Sequence, residues 1–87
     1  MPEISRFMGI VIRMFFDDHP PPHFHAEYGE FEAKFDIERM EIIEGELPKR
    51  IRALVLRWAI AHKTELLENW SRREAKQKLE FIEPLHD

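Results

Sequence analysis

The stretch from His19 to Gly29, His-Pro-Pro-Pro-His-Phe-His-Ala-Glu-Tyr-Gly, leaves the chain fewer conformational choices than any other. Its three prolines fix φ and remove backbone donors, so residues 20–22 form a stiff, extended connection. From His23 onward the side chains alternate. His23, His25 and Glu27 fall on one face of a strand, and Phe24, Ala26 and Tyr28 on the other. Gly29-Glu30 follows, and then Phe31-Glu32-Ala33-Lys34-Phe35-Asp36-Ile37 alternates again. Glycine in the first place of a two-residue loop suits a type II′ hairpin turn. That turn pairs Tyr28 with Phe31, Ala26 with Ala33 and Phe24 with Phe35, so the apolar faces coincide. A slip of one residue would set apolar side chains against charged ones. The same register predicts His25 opposite Lys34 and His23 opposite Asp36.

The rest of the chain is read outward from this hairpin. Residues 4–7 and 10–16 predict strand with a bend or bulge at Gly9, and Ile10, Ile12, Met14 and Phe16 facing the core. Pairing Phe16 with Phe24 would match the core faces and set Arg13 opposite Glu27. The second sheet face then becomes a polar grid of Arg13, His23, His25, Glu27, Glu32, Lys34 and Asp36. Glu41 to Glu44 predicts a fourth short strand, ended by Gly45. Leu47-Pro48 opens a helical region over about 48–76, with proline suited to the first turn. On a helical wheel Ile51, Leu54, Val55, Trp58, His62 and Leu66 form the core stripe. Leu56, Ile60 and Leu67 point nearly the opposite way. Either one helix meets a partner there, or the helix breaks near His62-Lys63-Thr64. Residues 78–85 are extended and half apolar and should dock on the body or on another chain. The expectation is one α+β domain over residues 1–87. Its strands span about 4–44, as a three- or four-stranded antiparallel meander with the long or broken helix on one face.

Composition narrows the function classes. There is no cysteine, so no disulfide, zinc–thiolate site or thiol nucleophile is available. The net charge of −4 argues against a general nucleic-acid coat protein. Basic residues nevertheless gather at 49–78, whereas 27–46 is mostly acidic, and Lys49, Arg50 and Arg52 are expected to pair with that acidic segment. No apolar run reaches the roughly 20 residues of a membrane span. The N-terminus lacks the basic and apolar parts of a signal peptide, so a cytoplasmic location is expected. No Ser or Thr has a neighbouring base in sequence, and there is no glycine-rich phosphate loop.

Three kinds of chemistry fit the histidine strand. As an acid–base site, His23 oriented by Asp36, with His25, and with Arg13 or Lys34 beside a phosphoryl group, would serve a small metal-independent ribonuclease. As a binding surface, His19, His23, His25, Glu27 and Lys34 are the residues presented. As a metal centre, His23 and His25 would need His19, Glu27 or Asp36 as a third ligand. A lone His-x-His without cysteine or a second ligand pair is a weak metal signature. No metal and no cofactor are therefore expected. In the plainest reading the imidazoles bond the backbone groups left open by the prolines, and His62 is a core histidine bonded to a carbonyl.

Several uncommon strings resemble the short bacterial proteins of domain-of-unknown-function family 4160. They are Pro2-Glu3-Ile4-Ser5-Arg6-Phe7 with Gly9-Ile10, Asp17-Asp18-His19 with Pro21-Pro22-His23-Phe24-His25-Ala26, Gly45-Glu46-Leu47-Pro48, Trp58, His62, and Glu65-Leu66-Leu67-Glu68-Asn69-Trp70. In that family a glycine commonly stands where Met40 stands here. The resemblance carries over no catalytic residue. It implies one half of a toxin–antitoxin-type pair whose partner is a small protein of domain-of-unknown-function family 2442. The function expected is action through that partner, with RNA as a further target. A homo-oligomer, a non-catalytic interaction module and a small metal-dependent enzyme using the histidines are the alternatives. The interface expected for a partner is Leu56, Ile60 and Leu67.

Overall fold

A computed structural model describes residues 2–86. Its strands are β1 (Glu3–Phe7), β2 (Ile10–Arg13), β3 (His23–Tyr28), β4 (Phe31–Asp36) and β5 (Glu41–Glu46), followed by helices α1 (Lys49–Ala61) and α2 (Lys63–Glu74). The five strands form one antiparallel sheet in the order β1-β2-β3-β4-β5. The α+β meander therefore has more strands than the three or four expected. Met8-Gly9 accounts for the first addition. Both residues take positive φ, 51° and 79°, and Phe7 pairs with Ile10. That is a two-residue type I′ reversal, not a bend within one strand. Gly45 accounts for the length of β5. It does not end the strand but lies within it, opposite Ala33 at φ 83°. A Cβ there would meet the Glu32 carbonyl oxygen at 2.2 Å, so only glycine lets the two backbones approach.

The β3–β4 hairpin has the register expected from the Gly29-Glu30 turn, from Tyr28↔Phe31 through His25↔Lys34 to His23↔Asp36. The β2–β3 register is displaced by two residues, so that Arg13 stands opposite His25 and Ile12 opposite Ala26. A shift of two keeps every side chain on its face. Ile10, Ile12 and Met14 are accordingly buried as expected, and Arg13 still reaches Glu27 diagonally at 3.1 Å. Phe16 does not follow them. The strand stops at Arg13, a turn closes between Phe15 and Asp18, and Phe16 is exposed.

Trp58 is the centre of the core. Its ring lies 5.4 Å from Phe7 and 5.8 Å from Phe24, which in turn stacks on Phe35 at 5.1 Å. Ile51, Val55 and Leu66 complete the expected helical stripe, all fully buried. Burying such a side chain contributes about 1.5–3 kcal/mol, and truncating a buried tryptophan to alanine costs about 3–5 kcal/mol. The helix breaks at His62, where φ is −119°, and α2 begins at once. The region is thus two helices, and the break brings Leu67 against the core while leaving Ile60 of α1 exposed. His62 is half-buried and bonds the Glu65 carboxylate at 2.6 Å, not the carbonyl expected of it. Met40 takes φ 56°, the left-handed conformation that glycine adopts freely, and donates to the Asp36 carbonyl at 2.8 Å.

The C-terminal segment docks on the body. Ile82 is buried, donates to the Ile4 carbonyl on the edge strand β1 at 2.7 Å, and accepts from the Ser5 hydroxyl at 3.0 Å. Trp58 donates to the Glu83 carbonyl, and Asn69 both donates to and accepts from the Glu80 backbone at 2.9 Å. An otherwise open sheet edge is covered in this way. Among the described residues, no helix is long and apolar enough to cross a membrane.

Candidate functional site

The loop between β2 and β3 folds back over the start of β3, and Asp18 is its pivot. The Asp18 carboxylate accepts from the Phe15 backbone N–H at 2.9 Å, and the Asp18 N–H donates to the Phe15 carbonyl at 3.2 Å. This reciprocal pair of bonds closes the turn over Phe15–Asp18 and presents the carboxylate to both imidazoles of β3. His25 Nε2 lies 3.2 Å from each Asp18 oxygen, and His23 Nε2 lies 3.6 Å from Oδ1. The polar face expected to be open is closed here. His23 and His25 are each 5% exposed. Phe15 packs edge-on against His25 at 4.7 Å, and Trp70 of α2 approaches His23 to 5.4 Å.

Arg73 locks this arrangement from the far end of the chain. It donates to the Phe16 and Asp18 carbonyls at 3.0 and 2.8 Å, while its guanidinium stacks 3.7 Å above the Trp70 ring. Charge-assisted bonds to two loop carbonyls, with a cation–π contact behind them, hold the loop where an unpaired segment would be mobile.

Tautomers follow from the bonds. His23 Nδ1 lies 2.8 Å from the Pro21 carbonyl, which can only accept, so Nδ1 carries the hydrogen. In neutral His23, Nε2 then offers a lone pair to an anionic oxygen, and this atom is buried without a hydrogen-bond partner. Where His25 Nε2 donates to Asp18, its Nδ1 is the bare nitrogen, and that atom too is buried without a partner. The nearest carboxylate to it is Glu32, at 3.9 Å.

The other residues expected at the site are distributed differently. Asp36 stands across from His23 and is buried, but its carboxylate accepts from the Arg39 N–H at 2.8 Å and serves the following turn. Arg13 and Glu27 form a partly buried pair with each other. Lys34 pairs with Glu44 at 3.4 Å, and His19 is exposed. Lys34 and His19 do line, with Asp18, His23 and Glu44, a pocket of about 440 Å³ beside the imidazoles. Sequence reasoning missed Asp18 and Arg73. Asp18 read as a turn former, although an acid on a proline-stiffened loop leading into His-x-His is a usable signal. Nothing local marks Arg73, which acts across more than fifty residues.

The pairing expected of the helix-start cations is also absent. Among the described residues, none of Lys49, Arg50, Arg52 and Arg57 enters an ion pair. They share the outward side of α1 with Ala53 and Ile60, which is 64% exposed, while Leu56 at its margin is half-buried against the core. On α2, Leu67 is half-buried against the core.

No curated protein and no solved structure matches the chain. One family model, Domain of unknown function (DUF4160), matches residues 9–71. That span runs from Gly9 of the β1–β2 turn through the whole histidine strand and its loop, and takes in α1 and α2 as far as Ser71. The chain belongs to the DUF4160 family.

Proposed function

We propose that the chain is the binding half of a two-protein pair of the toxin–antitoxin type, and that it engages a small protein partner through the outward side of α1. The observation that carries this reading is Ile60. A large aliphatic side chain stands 64% exposed one turn from Leu56 and Arg57, on a chain of net charge −4. The same helix side carries Lys49, Arg50 and Arg52, and among the described residues none of the four cations enters an ion pair. An apolar centre with a charged rim is the anatomy of a protein interface, and a basic rim selects an acidic partner surface. The C-terminal segment does not cover Ile60, because its buried residue, Ile82, is spent on β1. The family resemblance makes a protein of the domain-of-unknown-function 2442 type the first partner to try.

These four cations, unpaired among the described residues, also favour RNA as a second ligand class. Phosphate contacts release counter-ions, so log affinity falls with log salt at about 0.7 per contact for single strands. Co-expression with a small protein of the domain-of-unknown-function 2442 type tests both readings. A complex that co-elutes with the wild type and is lost on Leu56→Glu with Ile60→Glu supports the protein interface. Steeply salt-dependent RNA binding, lost on Arg52→Glu with Arg57→Glu and indifferent to the apolar pair, replaces it with the RNA reading. A wild-type dimer abolished by the apolar pair assigns the face to a second copy. A monomer that binds neither partner nor RNA overturns the proposal.

A further inference from the structure

Two buried imidazoles at the start of β3 and the partly buried Asp18 of the loop before it form a network that lacks partners for two ring nitrogens. Asp18, His23 and His25 each offer a ligand atom within 4.8 Å of the others. His23 Nε2 points a lone pair at an anionic oxygen 3.6 Å away, and His25 Nδ1 has no partner. Leaving a buried polar atom unpaired costs about 1–3 kcal/mol. Two such atoms side by side on neighbouring side chains call for one explanation.

A second proton on His23 would satisfy only His23. A second proton on each imidazole would bury two cations against a single carboxylate. One divalent metal ion satisfies both rings. Coordinated through Nε2, each histidine then carries its hydrogen on Nδ1. For His23 that hydrogen already has its acceptor, the Pro21 carbonyl at 2.8 Å. For His25 it faces the Glu32 carboxylate at 3.9 Å, a small side-chain adjustment from a hydrogen bond. Metal-bound histidines typically donate their other N–H to a backbone carbonyl or a carboxylate, which fixes the ring and raises its basicity.

The spacing is close to that of an ion's ligands. Bonds of about 2.0–2.2 Å at tetrahedral or octahedral angles put ligand atoms roughly 2.8–3.6 Å apart. The His25–Asp18 and His23–Asp18 separations are 3.2 and 3.6 Å, and the three ligand atoms all lie within 4.8 Å of one another, so the imidazoles draw together as they close on the ion. Two of the three side chains also line the pocket of about 440 Å³, so the remaining coordination positions are open to water or a small ligand.

We infer that Asp18, His23 and His25 form a binding site for a first-row divalent cation of the zinc or ferrous-iron class. Two imidazoles and one carboxylate suit such ions and do not suit magnesium or calcium, which prefer all-oxygen shells. This reverses the expectation drawn from His-x-His alone, because the third ligand is neither His19, Glu27 nor Asp36 but the loop residue Asp18.

The test uses the untagged chain, stripped with chelator, and cobalt(II) as the spectroscopic probe. Saturable visible absorption at one ion per chain is expected. Asp18→Asn, His23→Gln and His25→Gln should each weaken it by about 100-fold or more, since even outer partners of such ligands cost about 10–100-fold. His62→Gln and His86→Gln should leave it unchanged. Zinc binding to the wild type, followed by nitrogen chemical shifts of the imidazoles, keeps the test independent of whether the variants fold. The Nε2 atoms of His23 and His25 should move, His23 Nδ1 should stay protonated, and His25 Nδ1 should pass from bare to protonated. Absence of saturable binding, binding indifferent to Asp18→Asn and His23→Gln, or shifts at His62 or His86 instead would each overturn the assignment.

Discussion

The loop side of β3 and the outer side of α1 depart from ordinary side-chain partition in opposite directions. Around β3, a carboxylate, two imidazoles and a guanidinium are nine-tenths or so withdrawn from water. On α1, an isoleucine is left in water on a helix side whose four cations enter no ion pair among the described residues. The first departure is tied down by many bonds. Asp18 is held by its own turn, by His25 and, through its carbonyl, by Arg73. The second has nothing built around it. Buried polar groups are retained only where a network of partners offsets their desolvation. An exposed aliphatic group adds little to the stability of the isolated chain. The first region is therefore organised before any ligand arrives, whereas the second acquires its energetic value from whatever covers it.

That contrast can be broken at its strongest point by Asp18→Ala. The change orphans the Phe15 N–H and removes the anion facing both imidazoles, and it should destabilise the chelator-treated chain by roughly 2–4 kcal/mol in urea unfolding. A loss of a few tenths would mean that the loop is held by Arg73 and packing alone. A much smaller effect is expected on the other side. Ile60→Glu should leave folding stability within about 0.5 kcal/mol, because the side chain is mostly solvated already. If it destabilises by well over 1 kcal/mol, the residue belongs to the fold and the contrast fails.

The smallest effect sharpens the comparison with an ordinary surface ion pair. Glu3 accepts from Arg6 at 2.9 and 2.8 Å, and those bonds hold its carboxyl below the usual glutamate value, with the Arg6 charge adding to the effect. A depressed carboxyl stabilises the fold above its unfolded pKa, and that contribution fades as pH falls through the lower, folded value. A carbon chemical-shift titration of Glu3 should place its midpoint below the ordinary range. Glu3→Gln should change the acid limb of the stability curve only slightly, since the pair is exposed. A midpoint at the usual value would show that the pair does not form in solution.

Much of this fold was legible from short-range pattern. The alternation of residues 23–37, with glycine opening a two-residue turn, specified the β3–β4 register, because a hairpin's pairing is set by its loop and by the faces it buries. The stripe from Ile51 to Leu66 likewise identified the helical core face, and the half-apolar tail announced that it must dock. Local pattern misled where the constraint was a backbone angle. Met8-Gly9 looked like a bend because methionine gives no hint of positive φ, and Gly45 looked like an ending because the close approach of Glu32 lies on another strand.

The β2–β3 register and the fate of Phe16 lay beyond reach for a different reason. The connection from Met14 to Pro22 is too long to impose a register, and a two-residue shift leaves the burial pattern unchanged. The site itself divides in the same way. His23 and His25 could be placed on one face from alternation alone, since that depends only on strand geometry. Their burial, the arrival of Asp18 as their shared anion and the anchoring of that loop by Arg73 depend on contacts between segments up to 57 residues apart. No periodicity encodes such contacts, because they arise only once α2 has packed and brought Arg73 and Trp70 to the loop.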